Sequence, residues 1–479
     1  MGRVLLLESE LVMNSPNHYT RMFPQLARPP STPHSKLEKG LEQLGRKMTD
    51  DDDQKERHTV TAGYTYLGQF IDHDLTLDLT PLDRAHPEAE LTQNFRTPFL
   101  DLDHVFGGGP SLSPFLYHSN QADHGKERFL IGKIRDNIKL EEDLPRNPEG
   151  IALVGDPRQD ENVIIAQLHV AFLKFQNLVL HHLEHGKMKS VGPVGATLFE
   201  QARRLVTWHY QYIVLNEFLQ ALIDSTVFEK AERRCSAVAS TGVGRFRIPI
   251  EFSVAAFRFG HSMVRDSYDY NQRHPDASLG ELLDRTGAGT PGNVPLPDDW
   301  IIVWDHFFFL GGRPPRNDAR EINSKIAMGL HNLPRATVKL FNAPLPPPNR
   351  SQELPLPVRT LWRGARVGLP SGQDVARALA ITPLDSDREI ATGSHRDVLI
   401  EYGFHEDTPL WYYILKEAEI LGKGHSLGPI GSRIVANVVV DALHADANSY
   451  VSISPDWKPM LDGEAAGTIR SLLSFIKHG

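Results

Sequence analysis

GQFIDHD, residues Gly68 to Asp74, is the stretch that decides how this chain is read. It lies in a helical pattern that starts at Thr61, where Tyr64, Leu67, Phe70 and Ile71 mark one apolar face. On such a helix Gln69 and His73, at i and i+4, project to the same side. Asp72 and Asp74 flank the histidine, turned about 100° to either side of it. Taken alone, an Asp-His-Asp tripeptide is more often a solvated helix edge than a site. Its weight depends on what the rest of the chain supplies.

Three further segments carry chemistry. GDPRQDEN, Gly155 to Asn162, opens the most apolar helix of the chain, about residues 160–183, whose stripe runs through Ile164, Leu168, Phe172 and Phe175. Asp156 and Asp160 suit a helix N-terminus electrostatically, while Arg158 and Glu161 share a face. AFRFGHSMV, Ala256 to Val264, sets Arg258 and His261 at i and i+3 among apolar neighbours, within a stretch expected to be helical over 253–265. In TPFLDLDHVFGG, Thr97 to Gly108, residues Thr97, Phe99, Asp101 and Asp103 alternate, so an extended loop turns all four the same way. A hydroxyl, a carbonyl and two carboxylates form a hard-oxygen set suited to Ca²⁺. Each segment read singly has a plain structural explanation: a cap, a core histidine or an acidic turn.

The wider chain bounds the answer. It has 479 residues, 40% hydrophobic and 23% charged, enough for a large core, and a formal net charge of −9 that disfavours nucleic acid as a partner. One cysteine, Cys235, cannot form an internal disulfide. The apolar run at the start is broken by Glu8 and Glu10, short of a secretory core, and no stretch reads as a membrane span. The expectation is a cytoplasmic protein, with non-classical secretion left open. Residues 1–60, with RPPSTP at 28–33 and an acidic run at 50–53, read as an irregular arm, and 61–479 as one domain. Further helices are expected near 199–230, 372–380, 409–421 and 427–445, with proline-rich loops at 292–299 and 342–357. The fold is therefore mainly α, a large single helical domain with long loops and little β-structure. HHLEH at 181–185 reads as the solvated end of the long helix rather than a metal site.

In this order the four segments resemble the animal-type haem peroxidases of the peroxidase–cyclooxygenase superfamily, nearest to their bacterial members. LPDDWIIVWDHFF at 296–308, RGARVGLPSGQDVARAL at 363–379, TPLWYYILKEAE at 408–419 and LGPIGSRIVANVV at 427–439 extend the resemblance to about residues 61–460. It implies haem b and Ca²⁺ as cofactors, and hydrogen peroxide with a small reducing substrate as partners. His73 becomes the distal histidine with Gln69 beside it, Arg158 the distal arginine, and His261 the iron ligand backed by Arg258. Asp72 and Glu161 fall where some members form ester links to haem, and are equally compatible with staying free acids. Asp74, Thr97, Phe99, Asp101 and Asp103 fall on the calcium site. The asparagine partner of the proximal histidine is expected at Asn342, with Asn332 its rival.

The implied function is reduction of peroxide to water with oxidation of small organic donors, halides or pseudohalides through a ferryl intermediate, an activity of oxidative-stress responses. Asn162 stands where myeloperoxidase has methionine, which favours easier donors than chloride. A fatty-acid dioxygenase of the same fold is the nearest alternative. Its tyrosine three residues before the proximal histidine is replaced here by Arg258, though Tyr268 and Tyr270 are close in sequence. A non-catalytic haem-binding protein is the third reading. Natural donor and oligomeric state are unread.

Overall fold

The computed structural model describes residues 18–29, 31–32, 35–49, 59–82, 88–118, 127–238, 246–287, 289–290, 292–308, 310, 317–333 and 354–478. Among these, strands are confined to three short antiparallel pairs, and helices carry the architecture. The helices that position the site are α1 (Lys36–Lys47), α2 (Gly63–Leu75), α3 (Val163–Glu184), α4 (Leu198–Ile213), α5 (Leu356–Arg366), α6 (Leu410–Ile420) and α7 (Pro429–Ala445). One continuous apolar core draws on all seven.

Helix α3 is the spine. Asn162 starts it as N-cap, its Oδ1 accepting from the Ile165 amide at 2.9 Å. Its 22 residues, the stretch the sequence marks as the most apolar helix but not as a membrane span, are long and apolar enough to cross a membrane. Here 83% of its most apolar window is buried inside the protein, as in a core helix. Helix α2 seats across it: Phe70 stacks on Phe172 with ring centroids 4.7 Å apart. On another flank lies α4, opened by a reciprocal capping box between Thr197 and Glu200.

Two expectations need correction. The arm read as irregular contains α1, which packs along α5. Leu41 and Leu44 bury into the core, and small residues let the helices meet: a Cβ on Gly45 would stand 2.8 Å from the Val358 backbone. The run of Lys and Glu hid this face. The helix expected over 253–265 is a short α-turn, Ile250–Val254, then a break at Ala255 and a 3₁₀ segment, Ala256–Met263. With three residues per turn, the 3₁₀ geometry stacks Arg258 and His261 one above the other.

Candidate functional site

A cavity of about 350 Å³ opens between two walls. One is made by α2 and the turn Pro157–Asp160; the other by the segment Ala256–Met263 and α5. Gln69, Asp72, His73, Arg158, Glu161 and Asn162 line the first, and Arg258, His261, Arg359 and Arg363 the second. Three segments separated by 85 and 103 positions in the chain (73 to 158, 158 to 261) thus meet at one cavity.

The first wall is densely tied. His73 is 3% exposed, its Nδ1 lies 3.0 Å from Gln159 Nε2, and its Nε2 lies 3.3 Å from Glu161 Oε1. Arg158 donates from Nε and Nη2 to Asp156 and from Nη2 to the carbonyls of His73 and Thr76, at 3.1 and 2.6 Å. Burial alone would lower the pKa of Arg158, but the Asp156 carboxylate outweighs it and holds the guanidinium charged. Burial would likewise raise Asp156, and Arg158 pulls it well below the usual carboxylate range. The arginine therefore locks the C-terminal end of α2, and with it His73, to the turn that precedes α3. Gln69 donates to Glu161 and accepts from Asn162. Asp72 accepts from Thr76 Oγ1 at 3.0 Å.

The second wall is sparse. His261 Nδ1 is buried and has no hydrogen-bond partner among the described residues. Burial, then Arg258 and Arg359, lowers its pKa to about 3, so the ring is neutral and offers a lone pair. Arg258 is held by one bond, Nε to the Ser253 carbonyl at 3.0 Å. Burial, Arg258 and Arg363 lower the Arg359 pKa to about 10, a cation with little local compensation. Asn342 lies outside the described residues. Asn332 is exposed and donates to the Met328 carbonyl.

Behind α2, away from the cavity, Asp74 meets the Thr97–Asp103 loop. Asp74, Asp103 and His104 bring their ligand atoms within 4.8 Å of one another. Asp103 Oδ2 accepts from the Thr97 amide and Asp101 Oδ1 from the Asp103 amide. Asp74 Oδ2 and Thr97 Oγ1 are buried with no well-formed hydrogen bond among the described residues, though the Tyr210 and Thr97 hydroxyls stand close enough to temper the pKa values of Asp74 and Asp101. Burial drives Asp74 up to about 7, and burial plus the neighbouring carboxylates raise Asp101. Arg96 pairs with Asp103 at 3.1 Å, and the further buried carboxylates of Asp74 and Asp101 beside it suit a hard cation. His104 departs from the expected set: its Nδ1 lies 3.0 Å from Asp74 Oδ1, and burial lowers its pKa to about 3.

Sequence reasoning missed four residues. Asp156 was read as a cap, and does accept from the Arg158 amide at 2.9 Å, but it also clamps the guanidinium. Gln159, His104 and Arg359 were not singled out. The signal for the first two was their adjacency to Arg158 and Asp103; for Arg359 there was none.

A neutral buried histidine thus lines one wall of the cavity, and a second histidine with an arginine lines the other. Residues 80–285 match the animal haem peroxidase family model, a span that holds Arg158 and His261 and begins just after His73. A peroxidase-like protein of Margaritifera margaritifera is 29% identical over 240 residues, covering 48% of this chain and 27% of that protein. Human thyroid peroxidase is 26% identical over 351 residues, 68% of this chain and 35% of that one. The chain thus spans about a quarter to a third of these relatives. In fold it resembles peroxidase A of Dictyostelium discoideum, with a TM-score of 0.61 at 15% identity over 97% of this chain and 93% of the other. It also resembles a fatty acid alpha-dioxygenase of Arabidopsis thaliana, with a TM-score of 0.57 at 13% identity over 98% and 83%. Residues 80–285 thus match an animal haem peroxidase domain, and the chain is similar to animal peroxidases.

Proposed function

We propose that this chain is a haem peroxidase that reduces hydrogen peroxide to water and draws electrons from small organic donors, halides or pseudohalides. The carrying observation is the cavity with His73 and Arg158 on one wall and His261 on the other. Its residues fit a haem. His261 is a neutral imidazole, and Arg258 and Arg359 are cations in need of anionic partners such as propionates. Haem b, with His261 as the residue that would ligate it, would supply a redox-active iron for reaction with peroxide.

The protein's part is proton handling and charge. His73 Nε2 takes a proton from one peroxide oxygen and returns it to the other as that oxygen leaves. This requires the proton of the neutral ring to sit on Nδ1. Gln159 is buried beside Nδ1, and its own Oε1 has no partner. A half-turn of that amide sets Oε1 against Nδ1–H and frees Nε2 as the base. Arg158, fixed and charged by Asp156, stabilises negative charge developing on the departing oxygen. Asp72 and Glu161 border the cavity and are the candidates for ester links. Asp74, Thr97, Phe99, Asp101 and Asp103 would hold a Ca²⁺ that anchors α2 one residue beyond His73. The working unit is residues 61–479 with the preceding arm docked on α5.

The dioxygenase alternative finds support in the fold but not in the site. Arg258 occupies the position three before His261, and the two nearby tyrosines are committed elsewhere. The Tyr268 hydroxyl accepts from the Arg265 amide at 2.8 Å, and Tyr270 donates to the Trp300 carbonyl at 2.9 Å. The test is His261→Ala. Loss of the normal Soret band after haem loading is expected; a ferric spectrum identical to wild type would remove His261 as ligand.

A further inference from the structure

Helix α3 ends in His181-His182-Leu183-Glu184-His185, well separated in sequence from the cavity residues it helps to position. The spacing His-x-x-Glu-His puts His181, Glu184 and His185 on one face of the last turn. Their ligand atoms all lie within 4.8 Å of one another. The two imidazole rings are 4.1 Å apart, centroid to centroid.

Each residue is prepared by its neighbours. His185 Nδ1 lies 2.8 Å from the His181 carbonyl, so Nδ1 carries the proton and Nε2 keeps its lone pair. Glu184 is 10% exposed; its Oε2 accepts from Arg128 at 2.5 Å. Its other oxygen, Oε1, is buried and has no hydrogen-bond partner among the described residues. An unpartnered buried carboxylate oxygen beside two imidazoles is the independent sign that a cation belongs there. His182 is not part of the set: it turns to the other side, against Phe475 and within 3.3 Å of Asp462. The C-terminal end of the helix also carries partial negative charge.

We propose that His181, Glu184 and His185 form a divalent transition-metal site of the Zn²⁺ class. Two nitrogens and one oxygen are borderline donors that favour Zn²⁺ over Ca²⁺ or Mg²⁺. Three protein ligands leave a fourth position open to solvent. Because Arg128 holds Glu184, the carboxylate is a ligand here and not a free base, so the site binds metal without hydrolytic chemistry. Arg128 also acts as an outer partner that aims the carboxylate.

The test uses the full haem-loaded chain, so that the cavity histidines are engaged, with ZnCl₂ titrated against a chromophoric competitor chelator. The expected result is one Zn²⁺ per chain, with affinity weakened roughly 100-fold in the His181→Asn/His185→Asn double variant. Cu²⁺ bound to wild type should show hyperfine coupling to two nitrogens by electron paramagnetic resonance, lost in the same variant. Glu184→Gln should weaken Zn²⁺ binding by a smaller factor. Equal affinity and stoichiometry in wild type and the double variant, or no binding by wild type, would overturn the assignment. Failure here leaves the cavity reading untouched, since the peroxide reaction is a separate readout.

Discussion

The two walls of the cavity are built differently. On the wall of α2 the main groups are held by other protein groups: His73 Nδ1 by Gln159, Arg158 by Asp156 and two carbonyls. On the opposite wall His261 Nδ1 is orphaned, Arg258 has one bond, and Arg359 sits beside other cations. Proton transfer and charge stabilisation need positions fixed before substrate arrives, so the protein completes that wall itself. A wall of clustered arginines, of which Arg363 has Asp78 as an acidic partner, with a free imidazole lone pair beside them, is one that a bound anionic cofactor would complete.

Substitutions on the first wall should therefore harm chemistry while leaving haem in place. His73→Ala is expected to retain the Soret band and slow the reaction with peroxide by about 10²–10⁴-fold. Stopped-flow rates near wild type would remove His73 as the base. Asp156→Asn leaves Arg158 buried without its counter-ion and should cost about 3–5 kcal/mol in urea unfolding. The pH dependence follows from the depressed pKa of Asp156. Its contribution is present above the unfolded value of about 3.9 and is lost as pH falls toward the lower folded value. The stability gap between wild type and Asp156→Asn should shrink on acidification below about pH 4; a gap that widens would contradict the pairing.

Gln159→Leu sharpens the comparison further. With no amide at Nδ1 the imidazole loses its tautomer control, and the peroxide rate should fall about 10-fold with an altered pH profile. A profile unchanged in shape would reduce Gln159 to packing. Chelation at the Asp74–Asp103 cluster should have the smallest effect on the intact protein. Removing calcium is expected to lower the unfolding temperature by about 1 °C for each kcal/mol of binding lost, with no shift meaning no cation there.

What could be read in the sequence follows the same division. GQFIDHD, GDPRQDEN and AFRFGHSMV each keep their chemistry within a few residues, and the structure gathers all three at one cavity. The hydrophobic stripe of α3 was equally plain, because 3.6-residue periodicity over many turns is a strong signal. The 3₁₀ geometry of Ala256–Met263 was hidden because i, i+3 spacing fits an α-helix as well. Helix α1 was hidden because its docking depends on Gly40 and Gly45 meeting Tyr402 and Val358, contacts that no local pattern announces. Asp156 was in view but looked like a capping residue, and Gln159 was passed over, since their roles at the site exist only once α2 is brought beside them. Arg359 lies about 100 positions from His261 in sequence, and only the fold brings its charge to bear there.

The most direct test of the central claim is the absorption spectrum of the haem-loaded protein before and after one equivalent of hydrogen peroxide. A Soret band that shifts within seconds and returns when a phenolic donor is added is the result this account predicts. A clear Soret band that does not respond to peroxide would contradict it and point to haem binding without peroxidase turnover.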